Sequence, residues 1–300
     1  MGTRNYDLIA IDLDGTLLGP DGRVSAANRA AIDRARTAGV EIVPATGRGL
    51  IESGGVFESI AHRGKVVVAG GAMTVDMLTG RTVARRVMDA GLIAESVEHV
   101  HAHGHAALVL KDSIELAHDY VVVRGGAEVD PITRWWFEMT GVRVRTVDTL
   151  DEDDRPDLTI RVGCAAIDAE AEPLSRQLQD ELGDRAVLHT FSTTAAPSIL
   201  GKDFGGDGRP RRVHVVEVFD AGAGKWPAVR TIAEERGIEP RRVAAIGDET
   251  NDVDMLDAAG LGIAMGNAVD AAAAVADVRT ATNAEDGVAR AIEKILDGAW

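Results

Sequence analysis

The stretch LIAIDLDGTLLGPDG, residues 8–22, decides the fold, because an apolar segment runs directly into two aspartates, Asp12 and Asp14. Its apolar half is typical of a buried strand. The apolar segments VEIVPAT (40–46) and KVVVAG (65–70) follow. Helical patterns separate the three segments, and the first helix is predicted to begin at Ser25, a residue type that caps helices. Strands that alternate with helices predict a parallel sheet covered on both faces.

The end of the chain repeats this pattern, and the middle does not. The segments VHVVEVF (213–219), RVAAIGD (242–248) and LGIAMG (261–266) again read as strands between helices. Residues 83–209 instead contain short alternating strands and two or three helices, which favours an antiparallel sheet. The sequence therefore predicts an α/β protein. Residues 1–82 and 210–300 would form a doubly wound, Rossmann-like parallel-sheet core, with an α+β domain at residues 83–209 inserted into it.

Composition limits the partners and the compartment. The 300 residues include 32 basic and 48 acidic ones, a formal net charge of −16, which disfavours nucleic acid and anionic membranes as partners. The single cysteine, Cys164, excludes an intramolecular disulfide, and its apolar surroundings indicate a buried, inert thiol. We find no signal-peptide pattern and no apolar run near the roughly 20 residues of a membrane span, so we expect a cytoplasmic protein.

Polar residues follow the predicted strands where ligands usually bind, beyond the carboxyl ends of an open parallel sheet. They are Asp12 and Asp14 after the first strand, Thr46 and Arg48 after the second, Asp248 and Asp252 after RVAAIG, and Lys225 at the start of the helix after VHVVEVF. Each aspartate alone is explained by a turn or a helix cap. Their coincidence at one edge of one sheet favours a functional site.

The residue types suit phosphate chemistry. The carboxylates of Asp12, Asp14 and Asp248 offer the hard oxygens that Mg²⁺ prefers, and they would repel one another without a cation. Lys225 and Thr46 add a positive charge and a hydroxyl donor for a phosphoryl group. No Ser-His-Asp set or catalytic cysteine is evident. A carboxylate is therefore the best nucleophile, and Asp14 is placed to protonate a leaving oxygen and then to activate water.

Two other phosphate or metal motifs do not fit. A calcium loop starting at Asp12 would need glycine and glutamate where Leu17 and Arg23 stand. The segment AGAGK (221–225) lacks the spacing of a P-loop and the hydroxyl residue after the lysine.

Four ordered motifs, DLDGTLL (12–18), ATGR (45–48), GAGK (222–225) and GDETNDVDML (247–256), resemble those of haloacid dehalogenase-like (HAD superfamily) phosphatases. The resemblance covers the whole chain and is to the Cof-type branch, which has a large cap domain after the second motif. It implies that residues 83–209 are this cap, which closes over the substrate and sets specificity.

The resemblance also implies roles for individual residues. Asp12 would be the nucleophile and Asp14 the general acid/base. The implied contacts are Thr46, Gly47, Lys225 and Asn251 for phosphate, Arg48 and Gly71 for the rest of the substrate, and Asp12, the Asp14 backbone carbonyl and Asp248 for Mg²⁺, with Asp252 supporting the metal shell. One position departs from the pattern, because Gly70 stands where relatives commonly have asparagine.

Three further features have alternative interpretations. HVHAHGH (99–105) invites a metal site, but a helix broken at Gly104 would place only His99 and His103 on one face, which favours a solvated helix end. RWWFEMTG (134–141) is a packed cluster around Trp135 and Trp136 or an aromatic platform for a sugar or ring. FSTTAAPSILGKDFGG (191–206) is a specificity loop or a linker, and its Lys202 is the rival of Lys225 for the phosphate.

We therefore predict a Mg²⁺-dependent phosphatase that hydrolyses a small phosphorylated metabolite, such as a sugar phosphate, through an aspartyl-phosphate intermediate. A sugar phosphomutase and a non-catalytic sensor of phosphate esters are the alternatives, and an intact Asp14 argues against the sensor. The sequence leaves open whether the protein is a monomer or a homodimer.

Overall fold

The computed structural model describes residues 5–167, 171–195 and 211–300. Numbered along the chain, its strands are β1 (Leu8–Ile11), β2 (Glu41–Pro44), β3 (Lys65–Val68), β4 (Met73–Asp76), β5 (Arg81–Arg85), β6 (Ala107–Lys111), β7 (Tyr120–Val123), β8 (Val144–Val147), β9 (Thr159–Ile167), β10 (Ala186–Ala195), β11 (Arg211–Asp220), β12 (Val243–Gly247), β13 (Leu261–Ala264) and β14 (Val278–Arg279). The helices are α1 (Ala26–Thr37), α2 (Leu50–Ser59), α3 (Ala90–Ala102), α4 (Pro131–Thr140), α5 (Ala171–Leu182), α6 (Lys225–Glu235), α7 (Val253–Ala258), α8 (Asp270–Val275) and α9 (Gly287–Leu296).

Contacts divide the chain into two units, residues 1–84 with 224–300 and residues 85–223. The first unit contains a parallel sheet in the order β14-β13-β12-β1-β2. Every residue of β1 and β12 is buried, as expected for strands covered on both faces. Ser25 caps α1 as predicted, since its Oγ accepts a hydrogen bond from the Asn28 N–H at 3.0 Å. The doubly wound α/β core is confirmed.

The third predicted strand, β3, departs from the expectation. Among the described residues, it pairs with the main sheet through one parallel bridge, between Ala45 and Val67, and it pairs antiparallel with β4 in a separate sheet of order β3-β4-β5. The reason is a tight turn at residues 69–71, where Gly70 and Gly71 adopt φ of 63° and 95°. These left-handed conformations suit glycine and send the chain straight back along β3.

The second unit is an α+β structure around a six-stranded sheet of order β10-β11-β9-β6-β7-β8, antiparallel except for the β7–β8 pair. Helices α3 and α5 cover one face of this sheet through Val97 and Leu178, which pack among buried strand residues such as Val109. Cys164 belongs to this core, and burial raises its pKa to about 12, so the thiol stays protonated and inert as interpreted.

The segment VHVVEVF corrects the predicted domain boundary. It forms β11, which pairs antiparallel with β9 and β10 and so belongs to the second unit and not to the parallel core. The chain returns to the first unit at Gly224 instead of at residue 210, and it leaves at Ala84, close to the expected residue 82. No helix among the described residues is long and apolar enough to cross a membrane.

Candidate active site

The acidic cluster of the first unit forms where β1 and β12 end side by side. The Asp12 N–H donates to the Ile246 carbonyl at 3.0 Å, which places Asp12 beside the residue that follows β12, Asp248. Asp252 comes from the short turn before α7 and is completely buried. One carboxylate oxygen from each of Asp12, Asp248 and Asp252 lies within 4.8 Å of the others. Three of the predicted metal residues are therefore brought together.

Lys225, the first residue of α6, is the cation of this cluster and is fully buried. Its Nζ donates to Asp12 Oδ1 and to Asp252 Oδ1, each at 2.6 Å. Among the described residues, Asp12 Oδ2 receives no hydrogen bond. Lys225 thus fixes the Asp12 carboxylate through one oxygen and leaves the other available for chemistry.

Asp252 organises the cluster. Its Oδ2 accepts hydrogen bonds from the backbone N–H groups of Asp248 at 2.9 Å and Glu249 at 3.0 Å, while its Oδ1 binds Lys225. Both carboxylate oxygens are therefore engaged by the protein. This agrees with a supporting position behind the residues that would contact a metal ion directly.

The electrostatics fit a divalent cation. Burial and the adjacent Asp252 charge raise the pKa of Asp12 well above its usual value. Burial also raises the pKa of Asp248 to about 7, with a further contribution from Asp252. Burial opposes the charge on Lys225, but Asp12 and Asp252 outweigh it and raise the pKa of the lysine. Three carboxylates and one ammonium leave two negative charges unbalanced, and oxygen ligands are those that Mg²⁺ prefers.

Two neutral donors that the sequence reasoning missed hold Asp248. The Thr16 hydroxyl donates to Asp248 Oδ1 at 2.7 Å, and the Asn267 amide donates to Asp248 Oδ2 at 3.2 Å. Thr16 lies within the motif DLDGTLL, and Asn267 follows β13 at the same edge of the sheet. Ligands bind beyond the carboxyl ends of parallel strands, and polar residues that follow such strands are therefore candidates for a site. Asn267 follows β13 in the same way as Asp12 and Asp248 follow β1 and β12.

Asp14 lies apart from the cluster of buried acids. Its side chain is half exposed and forms a bidentate ion pair with Arg48, in which Arg48 Nε donates to Asp14 Oδ2 at 2.7 Å. Thr46 is fully buried, and its hydroxyl accepts a hydrogen bond from the Arg48 N–H at 3.1 Å. The structure therefore couples the first two motifs through Asp14 and Arg48.

Glycines and Asn251 complete the surroundings. A Cβ on Gly47 would lie 3.3 Å from the Asn251 amide nitrogen, so these two predicted phosphate contacts are neighbours. The Asn251 Oδ1 atom is buried and has no hydrogen-bond partner among the described residues. A Cβ on Gly71 would lie 2.0 Å from the Gly224 carbonyl oxygen. Position 71 therefore requires glycine because the backbone there lies against the loop that positions Lys225.

The other sequence features do not form a site among the described residues. Helix α3 ends just before His103, and the histidines bind separate partners: His101 contacts the Val123 carbonyl and His99 lies 3.3 Å from Glu181. No metal-type cluster is found there in the described part of the chain. Trp136 packs on Tyr120 with ring centroids 5.8 Å apart, whereas Trp135 is 40% exposed. Lys202 and most of the segment 191–206 lie outside the described residues.

A family model described as haloacid dehalogenase-like hydrolase matches residues 9–156 and 207–292. The chain belongs to the haloacid dehalogenase-like hydrolase family. The resemblance inferred from the four motifs is thereby confirmed.

Several curated relatives of this haloacid dehalogenase-like hydrolase are phosphatases, in agreement with the predicted class of phosphoric monoester hydrolase. The chain is 30% identical to the 5-amino-6-(5-phospho-D-ribitylamino)uracil phosphatase YitU of Bacillus subtilis over 98% of both chains. It is 26% identical to the pyridoxal phosphate phosphatase YbhA of Escherichia coli over 95% of this chain and 97% of the other.

Solved structures show the same fold. A haloacid dehalogenase-like hydrolase from Bacteroides thetaiotaomicron matches 97% of this chain and 99% of its own with a TM-score of 0.75 at 23% identity. A haloacid dehalogenase-like hydrolase from Bacillus subtilis has a TM-score of 0.74 and 24% identity, and the match covers 96% of this chain and 99% of the Bacillus chain.

Proposed function

We propose that the protein is a Mg²⁺-dependent phosphatase that hydrolyses a small phosphomonoester through an aspartyl-phosphate intermediate. The observation that carries this proposal is the buried cluster in which Lys225 holds one oxygen of Asp12 while Asp248 lies alongside. A buried carboxylate fixed by a lysine, beside further carboxylates, matches the needs of a nucleophile that receives a phosphoryl group.

The proposed metal ligands are Asp12, the Asp14 backbone carbonyl and Asp248, with Asp252 behind them. Bound there, Mg²⁺ would neutralise charge on the transferring phosphoryl group and on the carboxylates. The raised pKa values of Asp12 and Asp248 support this, since a buried site that favours protons when empty of metal also favours a cation.

In the proposed first half-reaction, the free oxygen of Asp12 attacks phosphorus and the bond from phosphorus to the leaving oxygen breaks. In its protonated form, with the ion pair to Arg48 opened, Asp14 would give its proton to that oxygen, so an alcohol leaves. Thr46, Gly47 and Lys225 would hold the phosphoryl oxygens in place.

In the second half-reaction, Asp14 takes a proton from water as the water oxygen attacks phosphorus. The bond between phosphorus and Asp12 then breaks, which regenerates the carboxylate and releases inorganic phosphate. Arg48, which pairs with Asp14, would orient the carboxylate form of that acid/base and would meet the substrate beyond its phosphate.

We assign substrate selection to the second unit, residues 85–223, as the cap domain. The names of the relatives supply two candidate substrates for this chain, 5-amino-6-(5-phospho-D-ribitylamino)uracil and pyridoxal phosphate. Both are small phosphomonoesters.

The test is a phosphate-release assay with Mg²⁺ over a panel that contains these two esters and a range of sugar phosphates. Asp12→Asn should lose essentially all activity, whereas Asp21→Asn, on an exposed turn further along the same segment, should retain it. Substantial turnover by Asp12→Asn would overturn the nucleophile assignment. An isomerised ester in place of free phosphate would indicate the phosphomutase, and binding without either product would indicate the sensor.

A further inference from the structure

Asn267 connects three segments of the first unit. Its Nδ2 donates to Asp248 Oδ2 at 3.2 Å and to the Gly15 carbonyl at 2.8 Å. Its Oδ1 accepts a hydrogen bond from the Asn283 N–H at 2.9 Å. Because Oδ1 faces a donor, the amide can present only its Nδ2 to the carboxylate and the carbonyl. The side chain therefore has one orientation that satisfies all of its neighbours.

The loop that carries Asn267 is itself fixed to the site. The Met265 N–H donates to the Gly247 carbonyl at 3.0 Å, and the Val269 N–H donates to the Asp248 carbonyl at 2.9 Å. Asn267 is nevertheless exposed. Asn267 therefore contributes through its hydrogen bonds and not through burial of apolar surface, and two of these bonds go to Asp248 and to the turn that follows Asp12.

The donor to Asp248 matters because of where that carboxylate lies. A Cβ on Gly15 would be 2.1 Å from Asp248 Oδ2, so the carboxylate rests directly against the turn between Asp12 and Thr16. With Thr16 on one oxygen and Asn267 on the other, Asp248 cannot rotate away from Asp12 without losing a hydrogen bond. Both donors are neutral, so they orient the carboxylate without cancelling the charge that a cation requires.

We infer that Asn267 is a positioning residue that holds the Asp248 carboxylate in place for the divalent cation. This inference rests on the metal site of the proposed function. It predicts that removing the amide weakens metal binding even in the absence of substrate.

The experiment measures Mn²⁺ binding to the substrate-free full-length protein by electron paramagnetic resonance, with Mg²⁺ as competitor. Asn267→Ala should weaken binding about 10-fold or more, the usual effect of removing a partner of a metal ligand. The matched control is Asn28→Ala. Asn28 supports the same turn through the Leu17 carbonyl at 3.2 Å and does not hydrogen-bond Asp248. Its replacement should lower the melting temperature and change Mn²⁺ affinity less than about 2-fold.

Wild-type affinity in Asn267→Ala would overturn the inference, as would equal weakening in both variants, because the effect would then come from the turn. Absence of Mn²⁺ binding by the wild type would also overturn it. Failure of the proposed function has a different signature: Asn267-dependent Mn²⁺ binding with no phosphate release from any ester.

Discussion

Replacing Lys225 by methionine would remove the only cation that contacts the carboxylates of Asp12, Asp248 and Asp252 among the described residues. The ammonium donates to Asp12 and Asp252 at 2.6 Å each, and all three side chains are at most 6% exposed. Methionine has a similar volume to lysine, so the substitution changes the charge without opening a large cavity. The loss of stability therefore measures the electrostatic role of Lys225.

We expect Lys225→Met to lower the free energy of unfolding by about 3–5 kcal/mol in the absence of divalent cations, the usual cost of leaving a buried charge uncompensated. This loss in the free energy of unfolding should be smaller at pH 5 than at pH 8. Without the lysine, the pKa of Asp12 rises further, so at low pH this carboxylate binds a proton and its repulsion by Asp252 is lost.

The assay is urea-induced unfolding in EDTA at both pH values. Lys65→Met is the matched control, because Lys65 pairs with Glu235, which is half exposed, and such pairs contribute about 0–1 kcal/mol. Asp12→Asn added to Lys225→Met should recover about 1 kcal/mol or more of the loss. Equal losses for the two lysine variants, or no recovery in the double variant, would refute this account of the cluster.

Other perturbations test separate features. In thermal unfolding, Gly71→Ala should lower the free energy of unfolding by about 1–3 kcal/mol more than Gly80→Ala does. Both glycines have positive φ, but only at position 71 would a Cβ lie against Gly224. Burial and the nearby Arg36 charge lower the pKa of His62 to about 4. Because the unfolded chain then binds a proton more readily than the folded one, the free energy of unfolding should fall by about 3 kcal/mol as the pH drops from 6.5 to 4. His62→Gln should remove most of this pH dependence. EDTA should abolish phosphate release, and excess Mg²⁺ should restore it.

The core of the site was predictable because short motifs place acids at the ends of apolar strands. Asp12 and Asp248 follow β1 and β12, and neighbouring parallel strands must bring their carboxyl ends together. Lys225 was predictable from its position at the start of a helix. Its two carboxylate partners were not, since they depend on the exact approach of α6 to the sheet.

The strand β11 shows what the pattern could not reveal. Its apolar run is compatible with either a parallel or an antiparallel neighbour, because both kinds of buried strand favour the same residues. Only its pairing with β9 and β10 assigns it to the second unit. The ion pair between Asp14 and Arg48 was equally hidden, since it depends on side-chain conformations at two separate loops.

The placement of β1 between β2 and β12 in the parallel sheet has a consequence for biosynthesis. Leu8 is in register with Glu41 on one side and with Val243 on the other. On the ribosome, one hydrogen-bonding edge of β1 must therefore wait for its partner until the whole of the second unit has been translated. During that interval the strand presents an apolar, unpaired edge of the kind that recruits wrong partners. We expect nascent chains that stall before residue 243 to depend on chaperones that shield β1.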